Sequence, residues 1–405
     1  MSDVVVTGIG AVTPLGENIP ISWNNLISGQ DADGPVDHFD TAGCRCHRAA
    51  NAALPPLPDF SAKELRRLPR ASRLAIPAVK EALAQAKLLD ERGKCRLPVL
   101  ALSVSTTAGG MALGESFFRE VLAKKRAHLF SQVSRYLPHE QVLDIQKALD
   151  FEGPAMIVAN ACASGANAIG HAYDLVSTGV ADCVLAGGFE ALTELVYVGF
   201  DCLQATTTEK CRPFDLNRSG LLLGEGAAFL VVESREHAAR RGINPICRIT
   251  GYSHTTDYFH LTQPQPEGKV LAQVMKEATS QAGTSPAEIG YVNAHGTGTV
   301  INDPAEALAY CLFFGDALSQ TRISSTKAAI GHTLGAAGAI EAVFTIQSLS
   351  THQIPPQIHL QTPLPEMALA LAATSESQND FRHAMSVNLG FGGSNAALLF
   401  SRYEN

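Results

Sequence analysis

Apolar positions in this 405-residue chain fall into short runs that repeatedly give way to clusters of small residues. Val4-Val5-Val6 begins a strand three residues from the start. Ala155-Met156-Ile157-Val158 predicts a buried strand that leads through a tight turn to Cys162, after which Ala166 to Val176 has helical character. The same plan returns downstream. Thr321 to Ser325 predicts a short strand, Lys327 to His332 a reactive loop, and Gly335 to Leu349 a Gly/Ala-rich helix. A further apolar lead, Ile289 to Val292, ends at Asn293-Ala294-His295-Gly296-Thr297-Gly298-Thr299, which puts His295 on a loop at a strand end. Neither Gly/Ala-rich helix has the charged stripe of a solvated one, so both are expected to be buried all round. Two strand–loop–helix units of one plan suggest an internally duplicated fold, although identity between the halves is too weak to establish it.

Composition narrows the classes. With 46% hydrophobic and 17% charged residues the chain can bury an ample core, and no Pro/Ser-rich linker or low-complexity segment divides it. No basic n-region or cleavage site is read at the N-terminus, and no run nears the ~18 apolar residues of a membrane helix. A cytoplasmic protein without a membrane span is expected. Nine cysteines without framework spacing suit a reducing compartment. Cys44-Arg45-Cys46-His47 lacks a second ligand pair at zinc-like spacing and is expected to be a surface loop. A net charge of −8 argues against nucleic acid as a partner. Locally, however, Lys63, Arg66, Arg67, Arg70 and Arg73 cluster on a predicted helix, and Lys124-Lys125-Arg126 forms a second basic patch.

The chemistry lies in the small-residue clusters. Cys162 at a helix N-terminus would meet unpaired N–H groups and the helix dipole, which favour the thiolate. A single cysteine or histidine in such a place is commonly a core residue. Cys162, His295, Lys327 and His332 together supply one nucleophile, two imidazoles and an ammonium, a set suited to acyl transfer.

These residues, with Val4-Val5-Val6-Thr7-Gly8-Ile9-Gly10, Arg212-Pro213-Phe214-Asp215, Gly224-Glu225-Gly226-Ala227 and Asn388-Leu389-Gly390-Phe391-Gly392-Gly393-Ser394-Asn395, carry a resemblance over the whole chain. The chain resembles the elongating (type I/II) β-ketoacyl-[acyl carrier protein] synthases of the thiolase superfamily. The resemblance implies an α/β fold of five layers, α-β-α-β-α, built from two similar halves, 1–240 and 241–405. It implies that Cys162 takes an acyl group and that His295 and His332 stabilise the enolate left when a malonyl thioester loses carbon dioxide. Lys327 would organise the site electrostatically, with Glu341 as its acidic partner. The N–H groups of Cys162 and Phe391 would form an oxyanion hole, and Thr297 and Thr299 would bond the pantetheine arm. No cofactor is expected, because the substrates ride on the phosphopantetheine of acyl carrier protein. Carrier docking would fall to Lys63, Arg66, Arg67, Lys124, Lys125 and Arg126.

The initiating synthases of the superfamily have Asn where this chain has His332, and thiolases add a cysteine near the C-terminus that it lacks. A non-catalytic chain-length-factor-like subunit is the alternative, though such proteins usually lose the cysteine kept here as Cys162. Ala108, where primary elongating enzymes tend to be bulkier, would widen an acyl pocket also formed by Phe391 and closed by Tyr136 of a partner subunit. The acyl chain could then be a fatty-acid, polyene or polyketide chain. Ala181 to Gly188, apolar with paired glycines, is expected to join two subunits, identical or homologous.

Overall fold

The computed structural model describes residues 3–123, 133–368, 370–377 and 381–404. Ten strands make its main sheet: β1 (Val4–Val12), β2 (Ala101–Ser105), β3 (Ala155–Val158), β4 (Cys183–Glu190), β5 (Gly226–Ser234), β6 (Cys247–Thr256), β7 (Ile289–Asn293), β8 (Arg322–Ser324), β9 (His383–Gly390) and β10 (Ser394–Arg402). Their order is β8-β7-β9-β10-β6-β1-β5-β4-β2-β3. Reading outward from the centre, β1-β5-β4-β2-β3 is matched by β6-β10-β9-β7-β8. Both sets pair antiparallel, antiparallel, parallel, parallel in turn. They meet through two residue pairs, Val5–Arg248 and Val6–Cys247. The chain is therefore two copies of one topology.

Seven helices complete the layers: α1 (Arg70–Gln85), α2 (Pro138–Leu149), α3 (Ser164–Ser177), α4 (Glu194–Cys202), α5 (Lys269–Ala282), α6 (Asn302–Phe314) and α7 (Ala337–Thr351). Helices α3 and α7 pack on each other and on strands of both sets, so they form the middle layer. α1 with α2 covers the outside of the first set, and α5 with α6 the outside of the second. The result is the five-layer α-β-α-β-α architecture. The middle helices touch through glycine. A Cβ on Gly165 would lie 2.5 Å from the Ala339 nitrogen, and one on Gly338 2.4 Å from the Ala166 nitrogen. Among the described residues, no helix is long and apolar enough to cross a membrane.

Four expectations are corrected. The Ala181–Gly188 segment becomes β4, paired on both sides and buried, so it offers no edge to a second subunit. The edge of the first set is β3, expected to be buried but half-open to solvent, with Met156 49% exposed. The basic cluster is not one helix, because Pro69 separates a short turn of helix, Ala62–Leu65, from α1. Arg70 turns inward to pair with buried Glu225, leaving Lys63, Arg66 and Arg67 exposed. The Cys44–His47 loop is not wholly at the surface. The Asp201 carboxylate accepts the N–H groups of Arg45 (2.8 Å) and Cys46 (3.2 Å), and Cys46 is buried. All nine cysteines are free thiols. Lys124, Lys125 and Arg126 lie outside the described residues.

Candidate active site

Cys162 owes its position to an abrupt change of chain direction after β3. Ala161 adopts φ +58°, a left-handed conformation that few L-residues take, and begins a one-turn 3-10 helix ahead of α3. Ser164 locks the turn: its hydroxyl accepts the Asn160 N–H (2.8 Å) and donates to the Ala161 carbonyl (2.5 Å). The thiol is buried. Burial pushes it up to about 11, opposed by the Lys327 ammonium and by the Phe391 N–H bonded to the sulfur. The thiolate expected from the helix terminus is therefore not the resting form, since desolvation outweighs the favourable groups.

The same turn recurs ahead of α7. Leu334 takes φ +49° and starts a 3-10 turn over Leu334–Ala336. Its N–H donates to Nδ1 of His332 at 3.1 Å, which leaves the ring proton on Nε2. His295 is held alike, its Nδ1 facing the Lys327 ammonium at 3.3 Å. The rings stand nearly perpendicular, with centroids 5.3 Å apart. Burial, followed by the nearby Lys327, holds both imidazoles well below their ordinary range, so both are neutral donors through Nε2–H.

Lys327 is buried and paired with buried Glu341. Burial raises the Glu341 carboxyl while Lys327 and Asn388 oppose it, the amide of Asn388 donating at 2.6 Å. Thr297 and Thr299 bond one another at 2.9 Å. They line a cavity of about 270 Å³ with Cys162, His295, His332 and Phe391. The Phe391 ring stacks on Phe200 of α4, at 5.6 Å between centroids.

Six residues named from the sequence thus surround one cavity, with Lys327 and Glu341 directly behind it. Ala108 and Tyr136 are not among its lining residues. Ala108 is buried with its N–H on Glu190 (2.8 Å), and Tyr136 packs beside Gly110 and Gly114. Lys63, Arg66 and Arg67 are exposed elsewhere. Arg66 and Arg67 line a separate, charged groove that also contains Asp59, Glu64, Glu140 and Asp144.

Sequence reasoning passed over Asp303 and Glu306 at the start of α6. Glu306 accepts the N–H groups of His295 and Gly296, each at 2.8 Å, and the Tyr310 hydroxyl at 2.7 Å. Asp303 accepts the N–H groups of Phe214 (2.8 Å) and Gly298. These two carboxylates hold the loop that presents His295. The signal was Asp303-Pro304-Ala305-Glu306 immediately after that loop: acids at a helix start, where N–H groups lack partners.

Residues 1–238 match the family described as beta-ketoacyl synthase, N-terminal domain, and residues 246–361 its C-terminal domain. The chain is 36% identical to 3-oxoacyl-[acyl-carrier-protein] synthase 2 of Staphylococcus aureus, covering 99% of this chain and 98% of the relative. Its structure is similar to a beta-ketoacyl synthase from Burkholderia phymatum (TM-score 0.89, 32% identity, all of both chains). It is also similar to the ishigamide ketosynthase/chain length factor (TM-score 0.90, 29% identity, all of both chains).

Proposed function

The chain belongs to the β-ketoacyl synthase family, and on that premise we propose that it joins an acyl group held on Cys162 to malonyl-[acyl carrier protein] by decarboxylative Claisen condensation. It is a condensing enzyme of the acyltransferase type. The observation that carries the finer reading is the state of the two histidines. Each has Nδ1 engaged and Nε2–H left to face the cavity that holds Cys162.

In the first half-reaction the Cys162 sulfur attacks the acyl thioester of the carrier, and the carrier leaves as its thiol with the proton from Cys162. Negative charge on the carbonyl oxygen would be met by the N–H groups of Cys162 and Phe391. In the second, malonyl carrier loses carbon dioxide. The electron pair is held as an enolate whose oxygen takes hydrogen bonds from His295 and His332. The carbanion attacks the acyl carbon, releasing 3-oxoacyl carrier and a Cys162 thiolate that regains a proton. A thiol whose affinity for its proton is raised by burial is suited to that return. Lys327 with Glu341 fixes His295, and Thr297 and Thr299 would take the pantetheine arm. Lys63, Arg66 and Arg67 would draw an acidic carrier electrostatically.

The open edge of β3 supports pairing with a second ketosynthase-type chain, identical or a chain-length subunit, from which Tyr136 would approach the acyl pocket. A non-catalytic, chain-length-factor-like role draws on the likeness to a ketosynthase/chain length factor. The retained Cys162 argues against it.

Purified protein incubated with malonyl carrier should release carbon dioxide, and with acyl carrier should gain the acyl mass on Cys162. Neither event in the protein alone or with its pairing subunit would favour the non-catalytic role.

A further inference from the structure

The Phe391 N–H belongs to a short loop, in which the Phe391 ring stacks on Phe200 and the Asn395 amide donates to the Gly393 carbonyl at 3.2 Å. Gly390 and Ser394 pair across the β9–β10 hairpin, so only Phe391, Gly392 and Gly393 lie between them. Gly392 (φ +80°) and Gly393 (φ +79°) are both in the left-handed region and have no side chain to anchor. The loop is tied on one side to the segment after β6. Gly392 N–H donates to the Leu261 carbonyl and the Asp257 N–H to the Gly393 carbonyl, each at 2.7 Å.

On the other side the link is Ser394. Its hydroxyl oxygen accepts the side-chain amide of Asn160 at 2.9 Å and that of Asn167 at 3.4 Å. Asn160 lies two residues before Cys162, and Asn167 lies on α3 about one turn beyond it. The Asn167 amide is oriented in turn by the Tyr252 hydroxyl, which donates to its carbonyl oxygen at 2.9 Å. Room for that ring comes from Gly170, where a Cβ would lie 2.1 Å from the Tyr252 ring. Tyr252 belongs to β6 and Ser394 to β10, so the chain of bonds joins the second half of the fold to the turn that carries the nucleophile.

We propose that Ser394, gripped by Asn160 and Asn167, is a positioning residue that fixes the Phe391 N–H against the Cys162 sulfur and so sets the oxyanion hole for acyl transfer. It touches neither substrate nor the reacting atoms. The histidine pair does not depend on it, because His295 and His332 are anchored by Lys327 and Leu334. Loss of the Ser394 hydroxyl therefore separates two activities of one site. This inference rests on the proposed condensation.

The test compares S394A, S394T and N160A with wild type in two assays. One is the rate of Cys162 acylation by an acyl carrier thioester, followed by intact-protein mass spectrometry. The other is carbon dioxide release from malonyl carrier. Acylation by S394A should fall about 10- to 100-fold, less than the 10²–10³ seen when an oxyanion donor is removed outright, because this donor is displaced. Carbon dioxide release should stay within about 3-fold. S394T, which keeps the hydroxyl, should recover most of the acylation. N160A should move acylation in the same direction and carries the test if S394A does not fold. Normal acylation by S394A and N160A overturns the inference, as does an equal fall in both activities that S394T fails to reverse. A wild type that neither acylates nor decarboxylates would instead overturn the proposed function, and this inference with it.

Discussion

The turns before α3 and α7 are the same device used for opposite purposes. Ala161 and Leu334 both stand in the left-handed region, each opens a 3-10 turn, and each turn runs into a middle-layer helix. Counting on from them, Cys162 matches Gly335, Gly165 matches Gly338 and Ala166 matches Ala339. The first turn exposes a thiol to the cavity. The second places no reactive side chain there: Gly335 gives its N–H to Glu190 (2.9 Å) and Thr107 (2.8 Å), while Leu334 orients His332. The glycines at the matched positions bring the helices together, so Cys162 on the first turn and His332 just ahead of the second line one cavity. On the proposed mechanism a duplicated fold divides the work, with bond-making on one turn and charge stabilisation beside the other.

The sharpest way to break that division is to remove one side. Cys162→Ala should abolish condensation, because nothing else in the turn can hold the acyl group. Carbon dioxide release from malonyl carrier should persist. Condensation by this variant, read as 3-oxoacyl carrier by mass spectrometry, would end the assignment of bond-making to the first turn.

The reverse experiment targets the other side. His295→Ala or His332→Ala should each slow carbon dioxide release by about 10²–10³, the usual loss for one oxyanion donor. Acylation of Cys162 should suffer less. If either variant releases carbon dioxide at the wild-type rate, that histidine does not contact the enolate.

A smaller effect concerns the turns themselves. Ala161→Gly relieves a left-handed alanine and should leave stability unchanged or raise it by about 1 kcal/mol. Leu334→Gly relieves a similar φ but deletes a buried side chain, and should cost about 2–5 kcal/mol net of the strain relieved. Thermal or denaturant unfolding reads both. Equal shifts would mean that the second turn is held by backbone alone.

Much of this comparison could be read in the sequence, and the rest failed for identifiable reasons. Runs such as Gly335 to Leu349 announced helices with no solvated face, because a buried helix cannot carry a charged stripe. Cys162, His295, Lys327 and His332 stood out because small residues surround groups that normally need covering. The duplication was hinted at by plan, whereas strand order shows it, because topology survives where side chains diverge. The Ala181–Gly188 segment reads as an edge in the sequence because β3 and β4 are both apolar runs, and only pairing partners distinguish an edge from a centre. Asp303 and Glu306 were missed because acids at a helix start resemble a solvated surface. What they hold, the backbone of His295 and its neighbours, is visible only in three dimensions.

Those carboxylates give the finest test of the division, through pH. Burial, with Asp303 adding to it, pushes the Glu306 carboxyl up to about 7, whereas burial keeps His295 and His332 well below 6.5. Between pH 8 and 6, then, Glu306 takes up a proton while the histidines stay neutral. A protonated carboxyl turns one acceptor into a donor, and it can no longer receive the N–H groups of both His295 and Gly296 as it does when ionised. Carbon dioxide release should therefore decline a few-fold, well short of the 10²–10³ for losing a donor, as pH drops through about 7. Acylation of Cys162, whose thiol is pushed up to about 11, should follow its falling thiolate fraction smoothly, with no step near pH 7. The stability term runs the other way. A carboxyl with a raised folded-state value contributes stability that is full below its unfolded value of 4.5 and is lost as pH rises through 7. Subtracting the Glu306→Gln stability profile from the wild-type profile isolates that term. The Gln variant, lacking the titrating group, should show slow carbon dioxide release with no step near pH 7. A step that persists in Glu306→Gln would assign it to another group and leave the His295 loop independent of Glu306.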